Sequence, residues 1–171
     1  MNGEDFSWTD AALDTARIVL DSTAIAGGIK LLSEPVVNAK NAALPQDITQ
    51  EQFSDASKLL RSRVGDISDD IVVQGSRASG TAKPTSDIDI AIRVPSDAFE
   101  DLILKYFKTP NPGSSKERTM LHAINTGKIQ AGEAKLSGLR KELEKIFNMD
   151  VDISIIEVGG PFDNPPFIPF E

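Results

Sequence analysis

The chain has 171 residues, 40% of them hydrophobic and 26% charged, enough for one domain with a buried core and too few for two full-sized ones. With no cysteine and a single histidine, His122, it excludes disulfides, thiol catalysis and a zinc cluster, and any metal must be held by oxygen ligands of the kind that suit Mg²⁺, Mn²⁺ or Ca²⁺. The net charge is −8, yet residues 105–145 carry nine Lys/Arg against four Glu, a basic segment that could face a phosphate-bearing substrate or simply form solvated helix faces.

The start, "MNGEDFSWTD", is acidic and so unlike the basic opening of a signal peptide. Residues 16–32 are apolar but contain Asp21 and Lys30, too short and too charged a run to span a bilayer, and a soluble protein is expected. A helix is predicted over 9–32, opened by Thr9 or Asp10, with Gly27-Gly28 breaking it near its end. Residues 33–47, flanked by Pro35 and Pro45, read as a connector. Thr49 caps a helix from about 50 to 64, where Phe53, Ala56, Leu59, Leu60 and Val64 recur at helical spacing.

"DIVVQG" then reads as a short strand, and "SDIDIAIRV" is the clearest strand in the chain. Ile88, Ile90, Ile92 and Val94 fall on one face of it, and Asp87, Asp89, Ala91 and Arg93 on the other. Pro95 ends it, and Ser96 caps a helix to about Phe107 with Asp97, Glu100 and Asp101 in its first turns. "KTPNPGSS" is a loop; helices over 116–126, stopped by Gly127, and over 131–147 are predicted next. "DVDISIIEV" is a second alternating strand, with Asp150, Asp152 and Ser154 on its polar face. The tail, with Pro161, Pro165, Pro166 and Pro169, must be extended or turning, and Phe162, Phe167 and Phe170 are expected to cover an apolar surface. No repeat is visible. The order implies an α/β (α+β) fold, with an N-terminal helical extension over 1–65 and a core over 66–171.

Two aspartates in a strand demand a reason. Asp is depleted in strands, and carboxylates at i and i+2 point the same way, roughly 6–7 Å apart. Without a cation they repel each other and are poorly solvated. A divalent metal removes both problems, and Asp152 or Asp150 on the second strand adds a third carboxylate if the strands are neighbours. Three carboxylates can hold two Mg²⁺ for in-line phosphoryl or nucleotidyl transfer.

The preceding loop suits that chemistry. Gly75 permits a close backbone approach or an unusual φ, Ser76 supplies a hydroxyl donor, and Arg77 and Lys83 place positive charge nearby. Two rival motifs fail on the letters. Thr81-Ala82 stands where a P-loop needs Lys and Ser/Thr, and neither Ser76 nor Ser79 has the setting of a serine-hydrolase elbow.

"GSRASGTAKPTSDIDIAI" closely resembles the signature of the DNA polymerase β-like nucleotidyltransferase superfamily. That signature is a strand, Gly-Ser, about ten residues, Asp-x-Asp between apolar residues, and a third Asp on a later strand. The resemblance implies a small mixed β-sheet core with packed helices, NTP as donor and Mg²⁺ (or Mn²⁺) as cofactor. It also implies that Asp87 and Asp89 ligate the metal and that a third carboxylate completes the set and activates the acceptor. Asp152, between two apolar strand residues, takes that role, with Asp150 as the fallback. Gly75, Ser76, Arg77, Lys83 and Ser86 are the nucleotide-binding candidates.

A second resemblance touches both flanks. "AALDTARIVLD" and the stretch "TGKIQAGEAKLSGLRKELEKIFNMDVDISII" with its "GGPFDNPPFIP" tail look like C-terminal toxin modules of large secreted bacterial polymorphic toxins. This implies an effector cut from a longer protein and acting in the cytoplasm of a target cell. It further implies RNA, in particular a tRNA 3′ end, as acceptor, and a cognate immunity protein as partner. The alternatives are a protein-adenylylating or antibiotic-modifying nucleotidyltransferase, or a non-catalytic nucleotidyltransferase-like binding module. His122 reads as an ordinary helix residue, and Lys128, Lys135 and Arg140 as phosphate contacts or solvated side chains.

Overall fold

The structure is a computed structural model, and it describes residues 43–171, which belong to one compact unit. The helix predicted over 9–32 lies outside the described residues. Helix α1 (Gln50–Val64) begins where its sequence supplies a capping box: Thr49 Oγ1 accepts the Gln52 N–H, and Gln52 Oε1 accepts the Thr49 N–H. Gln52 Nε2 also donates to the carbonyls of Ile146 and Phe147. One residue thereby serves the start of α1 and the carbonyl-rich end of a distant helix.

Five strands follow with four more helices: β1 (Ile71–Gln74), α2 (Gly75–Ser79), β2 (Ile88–Val94), α3 (Ser96–Phe107), α4 (Ser115–Thr126), β3 (Lys128–Gln130), α5 (Ser137–Phe147), β4 (Val151–Glu157) and β5 (Ile168–Pro169). The sheet order is β3-β4-β2-β1-β5, mixed as the resemblance implied. β2 and β4 are parallel, and the other pairs are antiparallel. The parallel pair requires a long crossover, and α3, α4, β3 and α5 supply it.

The predicted alternation decides which face is buried. Ile88, Ile90, Ile92 and Val94, with Val151, Ile153 and Ile155, pack into one core with Phe53, Ala56, Leu60 and Val64 of α1 and with the apolar sides of α3 and α5. Residues 50–64, read as part of an N-terminal extension, therefore contribute directly to this core. The boundary expected at 65/66 falls inside the unit. Among the described residues the opposite face carries a small apolar cluster, Val72, Ala91 and Ile156, capped by Phe167.

Two expectations need correction, the start of the helix over 131–147 and the burial of Phe162. The helix predicted over 131–147 is shorter, starting at Ser137, and the residues before it form β3 and a turn. Three residues are too few to show alternation; Lys128–Gln130 becomes a strand because β4 offers an open edge. The tail also adds a two-residue strand, β5, whose Pro169 is tolerated because β5 is an edge. Of the tail phenylalanines, Phe170 is buried and stacked on Phe53, Phe167 is half-buried, and Phe162 stays exposed. Arg93 straps the tail down. It bonds Asp163 through two nitrogens (2.7 and 3.1 Å) and Asp70 through a third (2.7 Å), and its guanidinium lies 4.3 Å from the centre of the Phe167 ring.

Candidate active site

The parallel pairing of β2 and β4 sets Asp89 in register with Asp152, with Ile88 beside Val151 and Ile90 beside Ile153. Both aspartates thus stand on the face away from the helix-packed core. On its other side Asp89 is in register with Gln74, the last residue of β1. Because β1 is antiparallel to β2, its end lies at the same end of the sheet as the starts of β2 and β4. Gly75 and Ser76 are thereby delivered beside the carboxylates. Asp87 precedes β2 and is exposed, while Asp89 and Asp152 are half-buried.

Gly75 has φ +72, and a Cβ there would fall on Asp89 Oδ2, well inside the 3.0 Å that real Cβ contacts respect. Two constraints, a left-handed backbone and a carboxylate against the Cα, meet at this glycine. The Asp89 carboxyl is pushed up from 3.8 to about 6, first by burial and then by the charges of Asp87 and Asp152, with Lys128 acting against them. The repulsion expected from the sequence is therefore present in the folded protein.

Lys128 is the partner that the sequence reading did not find for Asp152. Its Nζ lies 2.9 Å from Asp152 Oδ2, with the lysine side chain 19% and the aspartate 39% exposed. The ammonium also sits 5.1 Å from the centre of the Phe162 ring. The contact depends on β3 lying beside β4, and β3 carried no sequence signal. Asp150, the fallback, is exposed, and its carbonyl accepts the Ile88 N–H at 3.0 Å.

The remaining nucleotide-binding candidates separate. Ser76 is half-buried at the start of α2, and its carbonyl accepts the Thr81 N–H. Lys83 is exposed and opens a tight turn through Pro84 and Thr85, closed by Ser86 N–H to the Lys83 carbonyl (2.9 Å) and by Lys83 N–H to Ser86 Oγ (3.0 Å). Ser86 thus shapes the approach to Asp87.

Arg77 is placed differently from a phosphate contact. Its side chain is 2% exposed, and its nitrogens donate to the carbonyls of Gln46, Ser86 and Asp87, with Asp47 at 3.4 Å. Gln46, which no motif signalled, clamps the same loop by exchanging side-chain hydrogen bonds with the backbone of Ala82. Arg77 and Gln46 hold the loop that presents Asp87.

The donor set is all oxygen, three carboxylates at one end of a sheet, and the burial and neighbouring charge that raise the Asp89 carboxyl are what a hard divalent cation would offset. As the side chains stand, no three His, Asp or Glu groups among the described residues close around one point, and Asp152 is turned to Lys128. The residues fit a cation at Asp87 and Asp89, with Asp152 in register beside Asp89.

The family model for the nucleotidyltransferase domain matches residues 54–168, from the second turn of α1 into β5. The chain belongs to that family. The superfamily expected from Gly75-Ser76, Asp87-Ile88-Asp89 and Asp152 is thus established, and with it nucleotidyl transfer as the general activity of this nucleotidyltransferase. No curated protein and no solved structure matches the chain. Among the described residues of the nucleotidyltransferase, no helix is long and apolar enough to cross a membrane.

Proposed function

We propose that this nucleotidyltransferase moves a nucleotidyl group from an NTP to the 3′ end of an RNA, tRNA in particular, as the effector domain of a bacterial toxin restrained by an immunity protein. The observation that carries the RNA reading is the order of groups across the sheet. Gly75 and Ser76 lie on the β1 side of Asp89, whereas Asp152 and Lys128, a member of the basic segment 105–145, lie on its β4–β3 side. This arrangement supports separate approaches for donor and acceptor, with a lysine on the acceptor side. The toxin reading is supported by the sequence resemblance of the flanks.

Asp87 and Asp89, joined by Asp152, would hold Mg²⁺ (Mn²⁺ in its place), which when bound neutralises the triphosphate and the leaving pyrophosphate. Gly75 and Ser76 face the triphosphate, with Lys83 nearby. The acceptor hydroxyl oxygen bonds to the α-phosphorus, the bond from that phosphorus to the β-phosphate oxygen breaks, and Asp152 takes the hydroxyl proton. Lys128, 2.9 Å from Asp152 Oδ2, orients the carboxylate for that role.

The test is incubation of the protein with each labelled NTP, Mg²⁺, total bacterial RNA and total protein, beside an Asp87→Ala/Asp89→Ala control. Label in a tRNA-sized band, absent from the control, is the expected result. Label in a protein band instead would overturn the RNA acceptor in favour of protein nucleotidylylation. No label with any NTP from a folded sample would overturn the transfer reading itself.

A further inference from the structure

Beside Lys128 the β3 side of the sheet opens into a cleft between α4 and the turn at 131–136. An inner recess of about 70 Å³ reaches from Lys128 to Glu133, with Phe107 and Thr119 in its walls. An outer part of about 270 Å³ shares Phe107, Thr119 and Glu133 with the recess and adds Lys116 and Lys135. The two adjoin at those shared residues, and the inner one is linked to the site by Lys128, which bonds Asp152.

Its polar groups are unevenly distributed. Glu133 stands where the two parts meet, and its Oε2 is buried with no hydrogen-bond partner among the described residues. A carboxylate oxygen left dry and unpaired is costly, and a donor from a ligand relieves that cost. Lys116 and Lys135 are exposed at the outer rim, and Lys128 closes the inner end. A ligand that fits carries phosphates outside, a hydrogen-bond donor at Glu133 and a hydroxyl at the Lys128 end, toward Asp152.

We propose that the cleft binds the 3′-terminal nucleotides of a single-stranded RNA acceptor. Lys116 and Lys135 contact the phosphates, and Glu133 accepts from the exocyclic amine of the terminal base. Adenine, cytosine and guanine each carry such an amine. Uracil has only one N–H, flanked by two carbonyl oxygens that repel a carboxylate. Glu133 is thus a specificity-determining residue that selects against a terminal uridine. The assignment rests on the RNA-acceptor reading above.

The test measures binding without transfer. The full chain with Asp87→Asn/Asp89→Asn is titrated into fluorescent single-stranded RNA octamers that differ only in the 3′ nucleotide, over a salt series. The U-ended octamer is expected to bind roughly tenfold more weakly than the other three. Glu133→Gln, whose amide can donate to uracil, is expected to erase that difference. Lys116→Gln/Lys135→Gln should weaken all four octamers alike and reduce the salt slope by about 1.4. Circular dichroism confirms that the variants fold.

Equal binding of all four ends by the parent, or a preference unchanged by Glu133→Gln, overturns the base-reading role. An unchanged salt slope in the lysine variant overturns the phosphate contacts. The outcome is separable from that of the transfer assay: wild-type protein that labels no RNA overturns the function proposed above, whereas indifference to the 3′ base overturns this cleft.

Discussion

Asp152 and Lys128 stand 2.9 Å apart although 24 positions separate them in the chain, because β3 and β4 run side by side at the edge of the sheet. Among the described residues Lys128 is the one cation that lowers the Asp89 carboxyl, against the charges of Asp87 and Asp152. Removing it should be felt at both aspartates. Lys128→Gln is expected to lower nucleotidyl transfer on the order of a hundredfold, the scale of losing one preorganised electrostatic contact. Stability should change by no more than about 1 kcal/mol, since the pair is partly exposed. Lys128→Arg should recover part of the transfer rate, and steady-state kinetics beside urea unfolding would show both effects.

Gly75 is constrained twice, by its φ of +72 and by Asp89 Oδ2 lying where a Cβ would go. Gly75→Ala is expected to lose about 1–2 kcal/mol from the left-handed backbone alone. Pushing Asp89 aside should also abolish detectable transfer. Gly80 has a similar φ, +73, with nothing near its missing Cβ, so Gly80→Ala carries the backbone cost without the loss of activity. Thermal melts and transfer assays on the two variants separate strain from site geometry.

Asp89 makes stability depend on pH with a definite sign. Its carboxyl is raised from 3.8 to about 6, so between those values the folded protein binds more protons than the unfolded chain, and stability falls as pH rises through that window. A shift of that size is worth about 3 kcal/mol undiluted, and screening of a half-exposed group leaves about 1 kcal/mol. Asp89→Asn should match wild type near pH 4 and exceed its stability by about 1 kcal/mol at pH 7.5, read by urea denaturation. Millimolar Mg²⁺ should narrow the gap at pH 7.5 by stabilising wild type alone.

Arg77 is expected to matter through the loop it holds. Arg77→Ala leaves the carbonyls of Gln46, Ser86 and Asp87 without their donor, at about 1–3 kcal/mol each if they stay dry, so a loss of about 3 kcal/mol or more is expected. Arg77→Lys cannot span the same acceptors and should recover less than half of that. Equilibrium unfolding in urea checks it; a loss below about 1 kcal/mol would remove Arg77 from the positioning role.

The acidic motif was legible in the letters because its physics is local. Alternation at period two tells which side of a strand faces the core, so Ile88, Ile90 and Ile92 were assigned to the interior and Asp87 and Asp89 to the other face. The capping of α1 by Thr49 and the stop of α4 at Gly127, which adopts a φ of +61, are local in the same sense. The spacing of Gly75-Ser76 from Asp87-Ile88-Asp89 was enough to indicate the family.

What required the tertiary structure was every relationship set by strand neighbours and burial. The sequence named Asp152 as a carboxylate on a strand, but only the parallel register of β2 with β4 places it beside Asp89. Lys128 carried no motif and gained its partner from a three-residue edge strand too short to show a period. Arg77 looked like free positive charge because a letter carries no burial; packing against Gln46 and the 83–87 loop turned it inward. Local pattern decided which residues can do chemistry here, and long-range pairing decided which of them meet, because register and burial are fixed by residues far apart in the chain.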